Sequence, residues 1–462
     1  MAAWKWPAAP LSNPLAEVAA VALLCPLFLA AAWWNGFPFV FFDTGAYVLE
    51  GLAHFFVPER AAVYSLFLYY AGAKTSLWTV AAAQCLIVAF VLTEFARAVA
   101  PRTGLWKLLG IGVLLLFFTS LPWFAADIEP DSLTAALAMA IYLLAFHARA
   151  MGWLRGALLL AVAAFATAVH PSHLGLSAGL AITLAALWLV AVIWPRLGLP
   201  RPNALLPAFS FALGLALVLA ANYSLTHKIF VSRSGPVFLF ARLVGEGIAK
   251  QTLDEICPTR PLKLCAVKDK LPPTADDWLW GPESPFNDLG RFKGTERESA
   301  IVVGESWRRH PLASFGLGLW PALDQFFMVR TGDGIAPQQW VLDPEFRHFM
   351  PKQFAAYSAA RQQRGLVRFE AVNVVHVTIA FLSLFWLGLI LWRAASRKRR
   401  HEATLPAYVF LALIGNALVC GIFSGPHDRY QSRLIWLAVA VLLLLARPPR
   451  AFGLLRPVES GT

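Results

Sequence analysis

Residues 105–132 read LWKLLGIGVLLLFFTSLPWFAADIEPDS. The first twenty positions hold one charge, Lys107, at their start, and the last eight hold three carboxylates, Asp127, Glu129 and Asp131. A bilayer's hydrocarbon core is roughly 30 Å thick and takes about 20 helical residues to cross. The stretch therefore reads as one span followed at once by a polar exit. Runs of the same kind recur near 15–34, 77–97, 132–148, 155–169, 174–194, 204–223, 370–392, 405–424 and 432–446, which makes ten. Backbone groups in lipid must be satisfied within their own segment, and these runs are too long and too uniformly apolar for the alternating strands of a barrel. The expected fold is an all-α integral membrane bundle of about ten helices. A composition 58% hydrophobic and 14% charged, with mean hydropathy +0.60, agrees.

The net charge of +12 comes from short basic clusters between the runs. They are Lys5; Arg97, Arg102 and Lys107; Arg149 and Arg155; Arg196 and Arg201; Arg393 to Arg400; and Arg447, Arg450 and Arg456. With ten crossings every cluster falls on one side, which the positive-inside rule makes the cytoplasm. Both termini are then expected inside, in a cytoplasmic (inner) membrane. Nucleic acid is not an expected partner, because no domain gathers the basic residues. The first run could be a signal peptide, but its length and its end at Trp33 and Trp34 favour a retained anchor.

The opposite side receives the loops 35–76, 125–131, 170–173, 224–369 and 425–431, and with them nearly all the acidic residues. Three parts follow: a seven-span module, 1–223; a large outside loop, 224–369; and a three-span segment, 370–462. An eleventh apolar stretch, Leu312 to Val329, would reverse the parity if it crossed. It also carries Trp320-Pro321 and Asp324-Gln325. It is expected in the interface or packed on the bundle.

Cys25, Cys85 and Cys420 lie in spans, where a thiol behaves as a small apolar group. Cys257 and Cys265 share the outside loop, and an oxidising compartment is expected to join them. That loop is rich in Pro, Gly, Asp and Trp, and its aromatic residues imply an ordered unit. The chain shows no short repeat and no Gly-rich phosphate loop between strand and helix, so nucleotide-driven chemistry has no support.

Four polar clusters call for explanation. Asp43, in Phe41-Phe42-Asp43-Thr44-Gly45, lies just past the first span, ahead of Glu50, His54, Glu59, Arg60 and Tyr64, whose spacing suits helices along the membrane surface. A carboxylate there can meet a lipid-borne substrate, and it is also good N-cap chemistry. Asp127, Glu129 and Asp131 repel one another unless a divalent metal such as Mg²⁺ or Mn²⁺, or a basic neighbour, joins them; otherwise Asp131 and Ser132 cap the next helix. His170 and His173 bound the third outside turn, fit for phosphate or metal and equally for a plain polar turn. Arg429 and Arg433 share a helical face and, with Arg233 and Arg242, offer an anion site at headgroup depth.

This layout resembles the GT-C superfamily of polytopic glycosyltransferases, which take sugars from polyprenyl-phosphate donors outside the membrane. Asp43 early in a long first outside loop, the acids Asp127, Glu129 and Asp131 after the third span, and the interfacial helices between spans one and two carry the likeness. It covers roughly residues 15–200 and is architectural. Members often pair acids in the first loop, whereas Thr44 and Gly45 follow Asp43 here, which weakens a metal assignment. The resemblance implies Asp43 as general base in an inverting transfer to a lipid or glycan acceptor. Arg60, His170, His173, Arg233, Arg242, Arg429 and Arg433 would then bind substrate and phosphate. The rivals are a polar-lipid transporter or flippase, an O-antigen polymerase or ligase, and a non-catalytic membrane assembly protein. Spans nearly free of charge, with polar residues gathered at one surface, speak against a transporter.

Overall fold

The computed structural model describes residues 11 and 13–446, and among them every regular element is helical. Six helices are long and apolar enough to cross a bilayer: Pro14–Asn35, Leu77–Val99, Pro171–Ile193, Leu205–Thr226, Glu370–Ser396 and Arg400–Phe423. Three shorter apolar helices, Leu105–Phe118, Pro130–Phe146 and Trp153–Ala168, fall on three further expected spans. The tenth, 432–446, lies in Asp428–Leu445, whose first turns are charged. Lys5, Arg447, Arg450 and Arg456, used above for orientation, fall outside the described residues.

Local chemistry sets the ends. The Asn13 carboxamide accepts from Leu15 N at 3.0 Å with Pro14 at the first helical position, and Ser76 accepts from Trp78 N ahead of Leu77–Val99. Gly36, at φ 88°, stops the first span in the left-handed conformation open to glycine. The run at 105–124 is not one helix. It stops at Phe118, where the Thr119 hydroxyl donates back to Leu115 O at 2.6 Å and accepts from Leu121 N at 3.3 Å, and Leu121–Ala125 begins a new turn.

Two helices form the centre of the bundle. Thr134–Phe146 is buried all round as far as Ala145, and Asp428–Leu445 is buried over most of its length. Their N-terminal ends carry the polar residues described below. At the other end Glu17 and Glu94 are tied to Arg97 and Arg155, with Arg155 on Glu17 at 2.5 Å and Arg97 on Glu94 at 2.6 Å. Pro311–Phe327 packs along Arg400–Phe423. A Cβ on Gly421 would sit 2.7 Å from Ala322 Cα, so this contact requires the bare glycine.

Segment 224–369 contributes to two cores. Phe240, Leu253, Trp278, Phe286, Phe292 and Val302 close a small core of their own, beside the Cys257–Cys265 disulfide with its Cα atoms 5.8 Å apart. Leu342, Phe346, Met350 and Tyr357 instead join the bundle's core, where Phe346 and Tyr357 meet Phe37 of the loop 35–76. Aromatic residues lie on both sides of residue 310, so their presence alone does not mark this division.

Candidate functional site

The two acidic loops are joined by backbone. Phe39 N donates to Ala126 O at 3.1 Å and Ile128 N donates to Phe39 O at 2.9 Å, an isolated parallel bridge between the loops. The Gln362 side chain grips the other edge of the strand-like segment, accepting from Val40 N at 3.1 Å and donating to Val40 O at 2.5 Å. Behind them Gln84, inside a span, donates to Asp127 O at 2.7 Å and accepts from Tyr64 Oη at 2.6 Å. Asp43 and the group Asp127, Glu129 and Asp131 therefore share one site.

Asp43 does not cap its helix. The Phe42–Ala53 helix is closed by Thr44, whose hydroxyl accepts from Phe41 N at 2.9 Å and donates to Ile128 O at 3.1 Å. The Asp43 carboxylate sits in the first turn, where the helix dipole favours it, and accepts from Arg60 through Oδ1. Arg60 in turn leans over the Tyr47 ring at 6.0 Å.

Across the bridge, Asp131 accepts from Arg433, and the Arg429 Nε stands 4.0 Å from its other oxygen. Burial opposes its ionisation, yet these guanidinium groups hold the Asp131 carboxyl well below the usual range. Asp127 and Glu129 have no such partner. Burial, reinforced by the neighbouring Asp131 charge, pushes Asp127 up to about 8, and its Oδ1 has no hydrogen-bond partner among the described residues. Burial and the charges of Asp43 and Asp127 likewise raise Glu129 far above its ordinary value, with only the Thr44 hydroxyl near it at 3.5 Å. The site thus holds two paired carboxylates beside two that favour the neutral form.

No group of three His, Cys, Asp or Glu side chains among the described residues is arranged to hold a metal ion. Arginines supply positive charge to Asp43 and Asp131.

The other expected anion ligands divide. Arg429 keeps 9% of its surface and lies between rings, its Cζ 4.1 Å from Phe41 and 4.8 Å from Tyr430, with the guanidinium facing Asp131. Arg433 keeps 1% and bonds Asp131, Ser172 at 2.8 Å and Asn416 at 3.2 Å, so it braces the site from behind. His173 is wholly buried between Thr134 Oγ1 at 2.6 Å and Ala166 O at 2.8 Å, which makes it a helix tie. His170 caps its helix, its Nδ1 accepting from Ser172 N at 3.1 Å. Arg233 leans on Phe230 at 5.0 Å and Arg242 pairs with Glu246 at 3.6 Å. Neither belongs to the acid cluster.

Sequence reasoning passed over Thr44, Gln84, Gln362 and Asn416. Gln84 and Asn416 were detectable as lone amides inside otherwise apolar spans, where an unpaired amide is costly.

The architecture and this buried polar end define an α-helical membrane protein with an acid–arginine site where its loops meet. No family model matches the chain, and no solved structure matches it.

Proposed function

We propose that this chain is a membrane glycosyltransferase of the GT-C kind, moving a sugar from a polyprenyl-phosphate donor to an extracytoplasmic acceptor with inversion. It crosses an inner membrane ten times, keeps both termini in the cytoplasm and turns the acid–arginine site outward. The convergence of Asp43 with the acids of the second outside loop, against Arg60 and Arg429, is the observation that carries this reading. Asp43 is the general base: with Oδ1 held by Arg60, Oδ2 takes the proton of the acceptor hydroxyl as its oxygen attacks the anomeric carbon. The bond from that carbon to the donor phosphate breaks, and polyprenyl phosphate leaves with the electron pair. Arg429 is the cation closest to hand for the leaving anion, in a setting where water screens little.

The test is lipid-linked glycan profiling of a deletion strain beside one carrying Asp43→Asn. Loss of the same glycan from both supports enzyme class and residue together. An unchanged profile in the deletion strain excludes the activity, and an unchanged profile in Asp43→Asn alone excludes the base.

A further inference from the structure

Away from the acid cluster, a second concavity of about 560 Å³ opens between the small core of the outside loop, the Pro311–Phe327 helix and the turn at Pro426. That volume lies within the roughly 300–1,000 Å³ of sites that enclose small organic ligands. Arg242, Glu246 and Gln251 line one wall, Trp320 and Asp324 the other, and Pro426 stands three residues ahead of Arg429. The groove and the acid cluster therefore meet along one turn.

Its chemistry is specific. Trp320 keeps 70% of its surface although Trp side chains bring large apolar area to whatever covers them, so its ring is an open platform. Around it stand two carboxylates, a carboxamide and a guanidinium. Carboxylates accept hydroxyl protons, Arg and Gln donate to hydroxyl and ring oxygens, and the C–H face of a pyranose packs on an indole. Two carboxylates against one guanidinium leave the wall net negative, which turns away phosphate and sulfate. A purely apolar ligand would leave the Gln251 carboxamide and the Asp324 carboxylate without a partner from the ligand.

We propose that this groove is a saccharide-binding subsite that takes an uncharged oligosaccharide with one ring stacked on Trp320. Assigning it to the acceptor rests on the transferase reading and names the acceptor as a glycan; binding alone does not depend on that reading. The turn Ser424–His427 then links the bound sugar to the reacting end. The His427 backbone is clamped by Gln325 of the groove helix, N to Oε1 at 2.9 Å and O to Nε2 at 2.8 Å.

The test uses the full chain in phosphatidylcholine nanodiscs, since maltoside detergents carry the group in question. Ligand-observed saturation-transfer NMR is run with maltotetraose, cellotetraose, mannotetraose and chitotetraose, and with glycerol 3-phosphate as the anionic probe. Saturation transfer to at least one tetrasaccharide is expected, weakened roughly tenfold or more in Trp320→Ala and Asp324→Ala and largely kept in Trp320→Phe. Transfer to none of the four, transfer unaffected by both alanine variants, or transfer to glycerol 3-phosphate alone overturns the subsite. Retained sugar binding with an unchanged glycan profile in the deletion strain would remove the transferase reading and leave the subsite standing.

Discussion

Arg60 reaches back 17 residues within the loop 35–76 to take Oδ1 of Asp43, and both side chains keep only 10% of their surface. Removing one member of so buried a pair leaves the other uncompensated, at a cost of about 3 kcal/mol or more. Arg60→Gln should therefore lower the thermal inactivation midpoint, and Asp43→Asn/Arg60→Gln should recover most of it. If Asp43 is the base, that double variant stays inactive, down about 100- to 10,000-fold like Asp43→Asn alone. Regained transfer in the stabilised double variant would reduce the pair to a structural tie.

A pH effect on stability follows from Asp127. Its pKa rises from an ordinary 3.8 to about 8 in the fold, so the native state holds a proton that the unfolded chain has released. That contribution is fully present below 3.8 and is lost as pH rises through 8, with Glu129 acting in the same sense. Asp131 has the opposite sign, but its window lies below the usual carboxylate range. The midpoint of the solubilised protein should fall between pH 6 and 8.5, and Asp127→Asn should flatten the fall. An equally steep decline in that variant would show that other groups carry it.

Orientation is tested by reporters. A fusion after Arg400 should report cytoplasm and one near Trp280 the outside. Reversed signals at either point would overturn the ten-crossing parity and send the Arg393 to Arg400 cluster across the membrane.

The Cys257–Cys265 bond should appear as a linked peptide in non-reducing mass mapping of membrane-extracted protein. Closing so short a loop contributes about 2.5 kcal/mol on the chain-entropy account. Cys257→Ser/Cys265→Ser should make the segment around the Trp278 core more sensitive to protease added from outside, while cleavage elsewhere is unchanged. Two free thiols in the native protein would contradict the bond.

Much of this was legible in the residue order, for a physical reason. Span positions depend on apolar length, which is local, so the expected runs fall on helices, and the two cysteines stand close enough for one loop to join them. The acid loops were readable as suspicious but not as partners, because a single bridge at Phe39 joins them. What stayed hidden is long-range: nothing near Arg433 announces that Ser172 and Asn416 will bond it, or that His173 will be buried on Thr134. The break at Thr119 was masked by the apolar residues on both sides of it. The Asp43 cap expectation failed because Thr44, one residue on, has a hydroxyl short enough to close the turn itself.

The grip of Gln362 on Val40 spans 322 positions of chain, and that of Arg433 on Asp131 spans 302. A ribosome feeding this protein into a membrane therefore delivers Val40 and Asp131 long before the residues that grip them. Until the last helix inserts, Asp131 has no counterion at its final depth, and the strand-like segment at 37–41 has one edge unpaired. Contacts of such sequence separation form late.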